Sequence, residues 1–330
     1  MKLLKLVPDN TNIQFLKWRN IAMAISFAMI VGSIVLVAVR GLNFGVDFAG
    51  GQMVRVEFTQ NPNLDQLREE IGALQEGDVS VQEFGSPRDI AIRTPLPNTD
   101  GDTAIEAKAA ADRAADRLQA VIKARYPDAT VSSVDTVSGK VSEELLWTGG
   151  LSLLFATIGI SIYIWFRFEW QFGIGALFAL FHDVALTFGF FALTQLEFNL
   201  NIVAALLTII GYSLNDTIVV FDRIRENLRK FRRMEMLPLL DLSVNETLSR
   251  TVMTSLCMLL ALAALVLLGP EVIFGFSIAM FLGIFVGTYS SVYMSAPILV
   301  WLKVGPDSFV PLDEEGKAKP VAAANAGAVV

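Results

Sequence analysis

Long uninterrupted apolar runs constrain the fold of this chain more than any other feature. Six such runs match the roughly 20 residues that an α-helix needs to cross about 30 Å of hydrocarbon. A mean hydropathy of +0.52 and a charged fraction of only 18% are also typical of membrane proteins. The sequence therefore predicts a polytopic α-helical membrane protein. The predicted spans are residues 20–39, 146–166, 172–194, 200–221, 250–268 and 272–302.

The distribution of Lys and Arg predicts the orientation of these spans. Loops on the cytoplasmic side carry an excess of basic residues. The N-terminal segment 1–19 is basic, and six basic residues lie at 223–233 within the predicted loop 222–249. The links 195–199 and 269–271 contain no Lys or Arg. Because basic and non-basic links alternate, both termini are predicted to be cytoplasmic, and the long link after the first span is predicted to lie outside, in the periplasm.

That long link, residues 41–144, is predicted to form one small α+β domain. It carries a net charge of −8, which argues against nucleic acid as a partner. Alternating and helical apolar patterns follow one another in the order β-α-β-β-α-β, which is the ferredoxin-like arrangement. The predicted strands are Met53–Phe58, Val79–Phe84, Asp89–Arg93 and Thr130–Val137, and the predicted helices are Leu64–Leu74 and Thr103–Tyr126.

A carboxyl group in the fourth predicted span is the strongest functional candidate. A charge at the position of Asp216 costs about 2.5–3.5 kcal/mol on insertion scales. Since removal from water opposes ionisation, such a group can exchange a proton and serve as a relay. A structural hydrogen bond between helices, involving Asn215 for example, is the simpler alternative. Arg250, at the cytoplasmic start of the fifth span, is either a charge partner for Asp216 or an anchor at the lipid headgroups.

Two adjacent polar residues, His182 and Asp183, lie in the third predicted span. Neighbouring positions on a helix point about 100° apart, so these side chains are not expected to form one ligand face. The chain has a single histidine, and no metal site is predicted. A satisfied core histidine and a polar link between helices are the two alternatives.

Other motifs predict packing and surface contacts rather than chemistry. Gly283 and Gly287 form a GxxxG pair that lets two helices approach closely. The basic run at 223–233 favours contact with anionic lipids. Nucleotide-binding, zinc-binding and nucleophile motifs are absent from the sequence, so we expect neither enzymatic activity nor a cofactor. The Ala-, Gly- and Lys-rich tail, 303–330, is predicted to be cytoplasmic and disordered.

Two segments carry a resemblance to a known family. Residues 42–51 read LNFGVDFAGG, and residues 210–227 read IGYSLNDTIVVFDRIREN. The FHDVALT stretch at 181–187 and the SRT at 249–251 fit the same family. By these segments the chain resembles the SecF-type members of the SecD/SecF family, in the RND superfamily, along almost its whole length.

The resemblance implies partners and a function. SecF-like proteins pair with SecD, and the complex associates with the SecYEG channel and YajC in the bacterial inner membrane. The complex uses the proton gradient to promote late steps in the translocation of polypeptide substrates. Residues matching Asp216 and Arg250 are implicated in proton conduction there, with an aspartate from SecD.

The resemblance also implies a structural role for four residues where the first span meets the outer domain. These signature residues are Gly45, Asp47, Gly50 and Gly51. For Asp47 a turn that fixes the domain on its stalk is the favoured interpretation.

Two other functions stay open at this point. One is half of an RND-type, proton-driven exporter of lipids or small solutes, for which a larger outer domain would be expected. The other is a structural scaffold without ion coupling. A lone carboxyl group favours H⁺ over Na⁺ as the coupling ion.

Overall fold

A computed structural model describes residues 7–8, 11–73, 79–84, 86–96 and 104–305, so most of the tail predicted to be disordered lies outside the described residues. The helices and strands follow in chain order. They are α1 Arg19–Arg40, α2 Val46–Ala49, β1 Gly51–Glu57, α3 Leu64–Gly72, β2 Ser80–Phe84, β3 Ser86–Thr94, α4 Ala104–Arg125, β4 Thr130–Val137, α5 Gly139–Arg167, α6 Trp170–Thr194, α7 Leu200–Lys230, α8 Met236–Leu268, α9 Phe274–Tyr293 and α10 Ser295–Trp301.

Six long apolar helices of the described chain form a bundle, which confirms the predicted membrane fold. They are α1, α5, α6, α7, α8 and the pair α9–α10. Helices α7 and α9 pack along each other at the centre, and more than half of the most apolar part of each is buried. Helix α5 is exposed along almost its whole apolar length, as expected for contact with lipid.

Two helix boundaries differ from the sequence expectation. The segment 222–249, predicted as a loop, is mostly helical, because α7 continues to Lys230 and α8 begins at Met236. At 1.5 Å per residue both helices are longer than a bilayer is thick, so their ends project beyond it. The sixth span is broken at Met294 into α9 and α10. Pro297 lacks the N–H that would bond back to the preceding turn, which accounts for the break.

The outer domain is a four-stranded sheet with the order β2-β3-β1-β4, in which all neighbours are antiparallel. This is the predicted ferredoxin-like topology. In the central strand, Val54 pairs with Ile92 on one side and with Val134 on the other. Val54 and Ile92 are fully buried against Leu118 and Ile122 of α4. The domain therefore has an apolar core of its own.

Backbone contacts join the outer domain to the bundle at the link 195–199. The N–H of Gly45 donates to the carbonyl of Phe198 at 3.0 Å, and the N–H of Phe198 donates to Asn43 at 2.7 Å. The carboxylate of Asp47 accepts from the N–H of Leu200 at 2.9 Å. That N–H opens α7, where a negative charge is stabilised by the helix dipole. Asp47 thus attaches the start of α7 to the stalk of the domain, the segment 41–50 between α1 and β1.

Backbone angles and close contacts explain why glycines occupy this junction. Gly50 and Gly51 have φ angles of 68° and 108°, which side chains disfavour. A Cβ at Gly51 would also lie 2.8 Å from the carbonyl oxygen of Thr94. At Gly45 a Cβ would collide with the carboxylate of Glu197. Gly51 therefore permits a close backbone approach that a side chain would block, whereas a side chain at Gly45 would require Glu197 to move.

Glu197 is a charged residue of this junction that the sequence analysis did not select. Burial raises the pKa of its carboxyl group above the ordinary value, and the nearby Asp47 adds to the increase. Arg55 and Arg93 from the outer sheet, and a hydrogen bond with Asn199, oppose the pKa increase. The junction therefore holds a buried carboxyl group whose negative charge is partly compensated by two arginines of the outer sheet.

This geometry predicts a pH-dependent contribution of Glu197 to stability. Since the pKa is higher in the folded than in the unfolded chain, the contribution is present at low pH and is lost as pH rises through the folded value. We expect the melting temperature of the parent to fall, relative to that of Glu197→Gln, as pH increases from about 5 to 8. Thermal unfolding in detergent over this range measures the difference. The exposed Glu57, changed to Gln, should retain the parent's pH dependence; equal slopes for all three proteins would contradict the prediction.

The GxxxG pair of α9, Gly283 and Gly287, packs against α7, so a larger residue in the pair is predicted to clash with α7. A Cβ at Gly283 would overlap the side chain of Ile209, which is only 1% exposed and cannot move aside. We expect Gly283→Ala to destabilise the protein by about 1–3 kcal/mol, as overpacking does. Gly32→Ala, at a helix position with no atom within 4 Å, should be neutral. Unfolding in mixed detergent measures both; equal stability of the two variants would show that α7 and α9 are not closely packed there.

Candidate functional site

Asp216 lies in the bundle on α7 and is held by hydroxyl groups from two other helices. It is 7% exposed. Thr251 of α8 donates to its Oδ1 at 2.7 Å, and Ser291 of α9 donates to its Oδ2 at 2.8 Å. Each oxygen of this carboxyl group therefore receives a hydrogen bond from a different helix.

A second buried carboxyl group, Asp183 on α6, is held in a similar way. It is 1% exposed, and its Oδ2 accepts from Ser213 of α7 at 2.5 Å and from Ser290 of α9 at 2.8 Å. Its Oδ1 lies 2.9 Å from Nδ1 of His182. Three helices thus meet at Asp183.

The contact between His182 and Asp183 corrects the sequence expectation. Adjacent side chains were not expected to share a face, yet their polar atoms are within hydrogen-bonding distance. The Cβ atoms do diverge, but the imidazole ring is long enough for Nδ1 to turn toward the neighbouring carboxylate. The two residues form one polar pair inside the bundle.

Adjacent serines on α9 connect the two carboxyl groups. Ser290 donates to Asp183, and the next residue, Ser291, donates to Asp216. On α7, Ser213 and Asp216 lie one turn apart, so the same two helices contact both sites. We call the set Asp183, His182, Ser213, Asp216, Thr251, Ser290 and Ser291 the intramembrane polar cluster.

Neither Arg250 nor Asn215 forms an ion pair or a side-chain hydrogen bond with Asp216. Arg250 is exposed, and no ion pair joins it to Asp216 in the described part of the chain. Helix α8 turns Thr251 toward Asp216 instead, and Arg250 acts on the carboxyl group only as a more distant charge. Asn215 is also exposed, and none of the described residues hydrogen-bonds to its side chain. Neither residue forms the direct helix contact that was considered.

Hydroxyl groups suit a carboxyl group that changes its charge. A serine or threonine donates one hydrogen bond and can also accept. It therefore donates to an ionised carboxylate and can rotate to accept from a protonated one. The cluster can hold either protonation state of Asp216 without leaving a buried polar group unpaired.

The sequence analysis missed the hydroxyl groups as functional residues. It selected neither Ser213 nor the serines of α9. A usable signal existed, because hydroxyl side chains at helical spacing opposite an intramembrane aspartate are candidates for its hydrogen-bond donors. No group of three or more His, Cys, Asp and Glu residues in the described ranges is arranged to hold a metal ion.

The basic run predicted to contact lipids is partly paired within the chain. Arg225 contacts Glu169 at 2.9 Å, and Arg223 contacts Glu226 at 3.1 Å. Arg167, the last residue of α5, pairs with Asp222 at 2.8 Å. The remaining basic residues of the run are exposed: Arg229, Lys230, Arg232 and Arg233.

Family models match most of the chain. The family described as "Protein export membrane protein SecD/SecF, C-terminal" matches residues 117–305, which is more than half of the sequence. The "SecD/SecF GG Motif" matches residues 35–62, the region of the signature glycines.

Curated relatives and solved structures agree with these matches. The "Protein translocase subunit SecF" of Rhodobacter capsulatus is 45% identical over 304 residues, which cover 91% of each chain. That of Rickettsia felis is 41% identical over 297 residues, covering 90% of this chain and 94% of its own. The crystal structure of SecDF, a translocon-associated membrane protein from Thermus thermophilus, superimposes with a TM-score of 0.80 at 34% identity. The match covers 89% of this chain but only 39% of the SecDF chain.

The family models include the signature glycines and every helix of the intramembrane polar cluster. The chain belongs to the SecD/SecF family of protein export membrane proteins, as a translocase subunit of the SecF type.

Proposed function

We propose that this subunit couples proton movement through the membrane to the translocation of polypeptides on the outer side. The observation that carries the proposal is Asp216, a carboxyl group in the bundle whose hydrogen-bond partners among the described residues are hydroxyl groups of neighbouring helices. A permanently charged residue there would be expected to have a charged partner, because an isolated charge in hydrocarbon is costly. Hydroxyl partners suit a group that is alternately charged and neutral.

The proposed cycle begins with protonation of Asp216. The neutral group no longer attracts the hydroxyls of Thr251 and Ser291 as strongly, since hydrogen bonds to charged groups are stronger than those to neutral ones. Helices α8 and α9 can then shift relative to α7. Loss of the proton restores the first arrangement, so each proton that passes drives one change of packing. The proton gradient supplies about 2.3 kcal/mol per charge for each 100 mV.

Helix α7 connects this site to the outer domain. Asp216 lies 16 positions after the start of α7, where Asp47 binds the N–H of Leu200. The helix is continuous over this length of about 24 Å, so it links the two points directly. In the proposal, movement of α7 displaces the outer domain, which prevents a translocating polypeptide from sliding back.

We propose SecD as the partner that completes the membrane site. The exposed side of α7 presents small or polar residues at helical spacing: Asn201, Ala204, Thr208, Gly211 and Asn215. Such a surface favours a protein helix over lipid. By contrast, exposed positions of α5 are large and apolar, such as Leu154, Phe155 and Ile158. The much longer SecDF chain supports a partner of this kind, because this chain covers only 39% of it.

Orientation and further contacts belong to the same proposal. The basic end of α7, and with it the start of α8, would lie at the cytoplasmic side of the inner membrane, with both termini there. The exposed basic residues near 229–233 would contact anionic lipids. Association with the SecYEG channel and YajC follows from the family resemblance alone.

Replacing Asp216 tests the coupling. Asp216→Asn keeps the size and hydrogen-bonding capacity of the side chain but cannot exchange a proton. We expect it to abolish proton flux in vesicles that contain the subunit with SecD, and to reduce the export of a secreted reporter in cells to the level without the subunit.

Asp222→Asn is the matched control. It makes the same change on the same helix, at a surface ion pair of the kind that contributes about 0–1 kcal/mol. It should leave flux and export close to the parent level. If Asp216→Asn also retains both, the proposed function is wrong.

The exposed face of α7 gives a second prediction. Gly211→Leu adds a large side chain where SecD is proposed to pack, so we expect several-fold less SecD to copurify. Gly159→Leu makes the same change on the lipid-facing side of α5; neither glycine has an atom within 4 Å of an added Cβ. Copurification from native membranes measures both. Equal recovery of SecD with the two variants would place the partner on another face.

A further inference from the structure

The buried pair His182–Asp183 has no role in the cycle at Asp216. His182 is fully buried and Asp183 nearly so. Their polar atoms lie 2.9 Å apart, and two serine hydroxyls donate to the other carboxylate oxygen. Nε2 of His182 has no hydrogen-bond partner among the described residues. A buried histidine with one nitrogen unpaired is unusual for a purely structural residue.

The chemistry of the pair allows it to take up one proton at Nε2. A proton on Nδ1 donates to Asp183 and leaves a lone pair on Nε2. An incoming proton binds at Nε2 and produces an imidazolium, whose charge faces a carboxylate that already has two serine donors. The imidazolium then partly neutralises the charge of Asp183, which weakens the hydrogen bonds that Ser213 and Ser290 donate to it. Imidazole is also the side chain that most readily changes charge between about pH 5 and pH 8.

Few other ionisable groups surround the pair. The ring of Tyr289 on α9 lies 6.1 Å from the imidazole, centre to centre, and its hydroxyl pairs with Ser26 of α1 at 3.0 Å. Helix α1 carries charges only at its ends, Arg19 and Arg40. Helix α10 has no ionisable side chain. On α7, Asp216 is the carboxyl group one turn from the serine that binds Asp183.

Helix α9 joins the pair to Asp216 mechanically. Ser290 and Ser291 are consecutive, and each donates to a different carboxyl group. Because consecutive residues of a helix move together, a shift of α9 that weakens one hydrogen bond changes the other. A change of charge at one site therefore alters the position of the donor at the other.

We infer that His182 and Asp183 form a second proton-holding site, coupled to Asp216 through the adjacent serines of α9. The inference rests on the proposed proton coupling at Asp216. The subunit then has two proton-holding sites in the membrane, and helix α9 contacts both of them.

The single histidine of the chain makes the second site directly observable. Full-length protein labelled with ¹⁵N-histidine, in vesicles with unlabelled SecD, gives one pair of ring-nitrogen NMR signals. Spectra recorded over a range of pH are expected to show both the Nδ1–H tautomer and the doubly protonated ring. A spectrum that stays constant across this range would overturn the inference, since a structural histidine keeps one state.

Three variants test the coupling. Asp216→Asn and Ser290→Ala should each move the midpoint of the His182 titration by about half a pH unit or more. Ser277→Ala is the matched control, because Ser277 is an equally buried serine of α9 whose hydroxyl has no partner among the described residues. It should leave the midpoint unchanged. If Asp216→Asn does not move the midpoint, or if Ser277→Ala moves it as far as Ser290→Ala, the coupling through α9 is refuted.

Proton flux separates this inference from the proposed function. If Asp216→Asn abolishes flux while His182 does not titrate, the function stands and the second site is wrong. If His182 titrates with the expected coupling while flux is unaffected by Asp216→Asn, the second site stands and the proposed function is wrong. Asp183→Asn should change the pH profile of flux; an unchanged profile would count against the second site.

Discussion

The exclusion of water from the bundle is the constraint on which this structure depends. Inside hydrocarbon a carboxyl group has to find hydrogen-bond donors within the protein or lose its charge. Asp216 and Asp183 find theirs in serine and threonine hydroxyls on α7, α8 and α9. These donors decide which faces of the helices turn inward, and they accept either protonation state of the carboxyl groups.

Close packing at the centre of the bundle links the protonation of these carboxyl groups to the positions of the helices. Gly283 and Gly287 allow α9 to lie directly against Ile209 and Ser213 of α7. A well-packed interface does not deform gradually, so in the proposed cycle a change of charge would shift the helices between discrete arrangements. The serines of α9 then act as both donors and mechanical contacts.

The same helix that carries Asp216 begins at the stalk of the outer domain. Asp47 binds the first turn of α7, and Glu197 sits beside it under two arginines of the sheet. The membrane site and the outer domain are thus attached to opposite parts of one rigid element. This arrangement suits a subunit that performs work outside the membrane with energy taken from inside it.

Much of the architecture could be predicted from the sequence, because its signals are local. The length of the apolar runs indicated six spans, and alternation of apolar residues indicated the order of the outer strands and helices. Asp216 was recognisable since a carboxyl group in an apolar run is costly wherever the helix packs. The family segments at 42–51 and 210–227 needed only the order of the residues.

Contacts between helices could not be predicted in the same way, because they depend on how each helix is rotated about its axis. That rotation turns Thr251 rather than Arg250 toward Asp216, and it leaves Asn215 exposed. It also aligns Ser290 and Ser291 with two different carboxyl groups. The sequence by itself determined which polar residues enter the membrane, through the free energy of each residue in hydrocarbon. Only the tertiary structure decided which of them are partners, since partnership follows from packing among residues far apart in the chain.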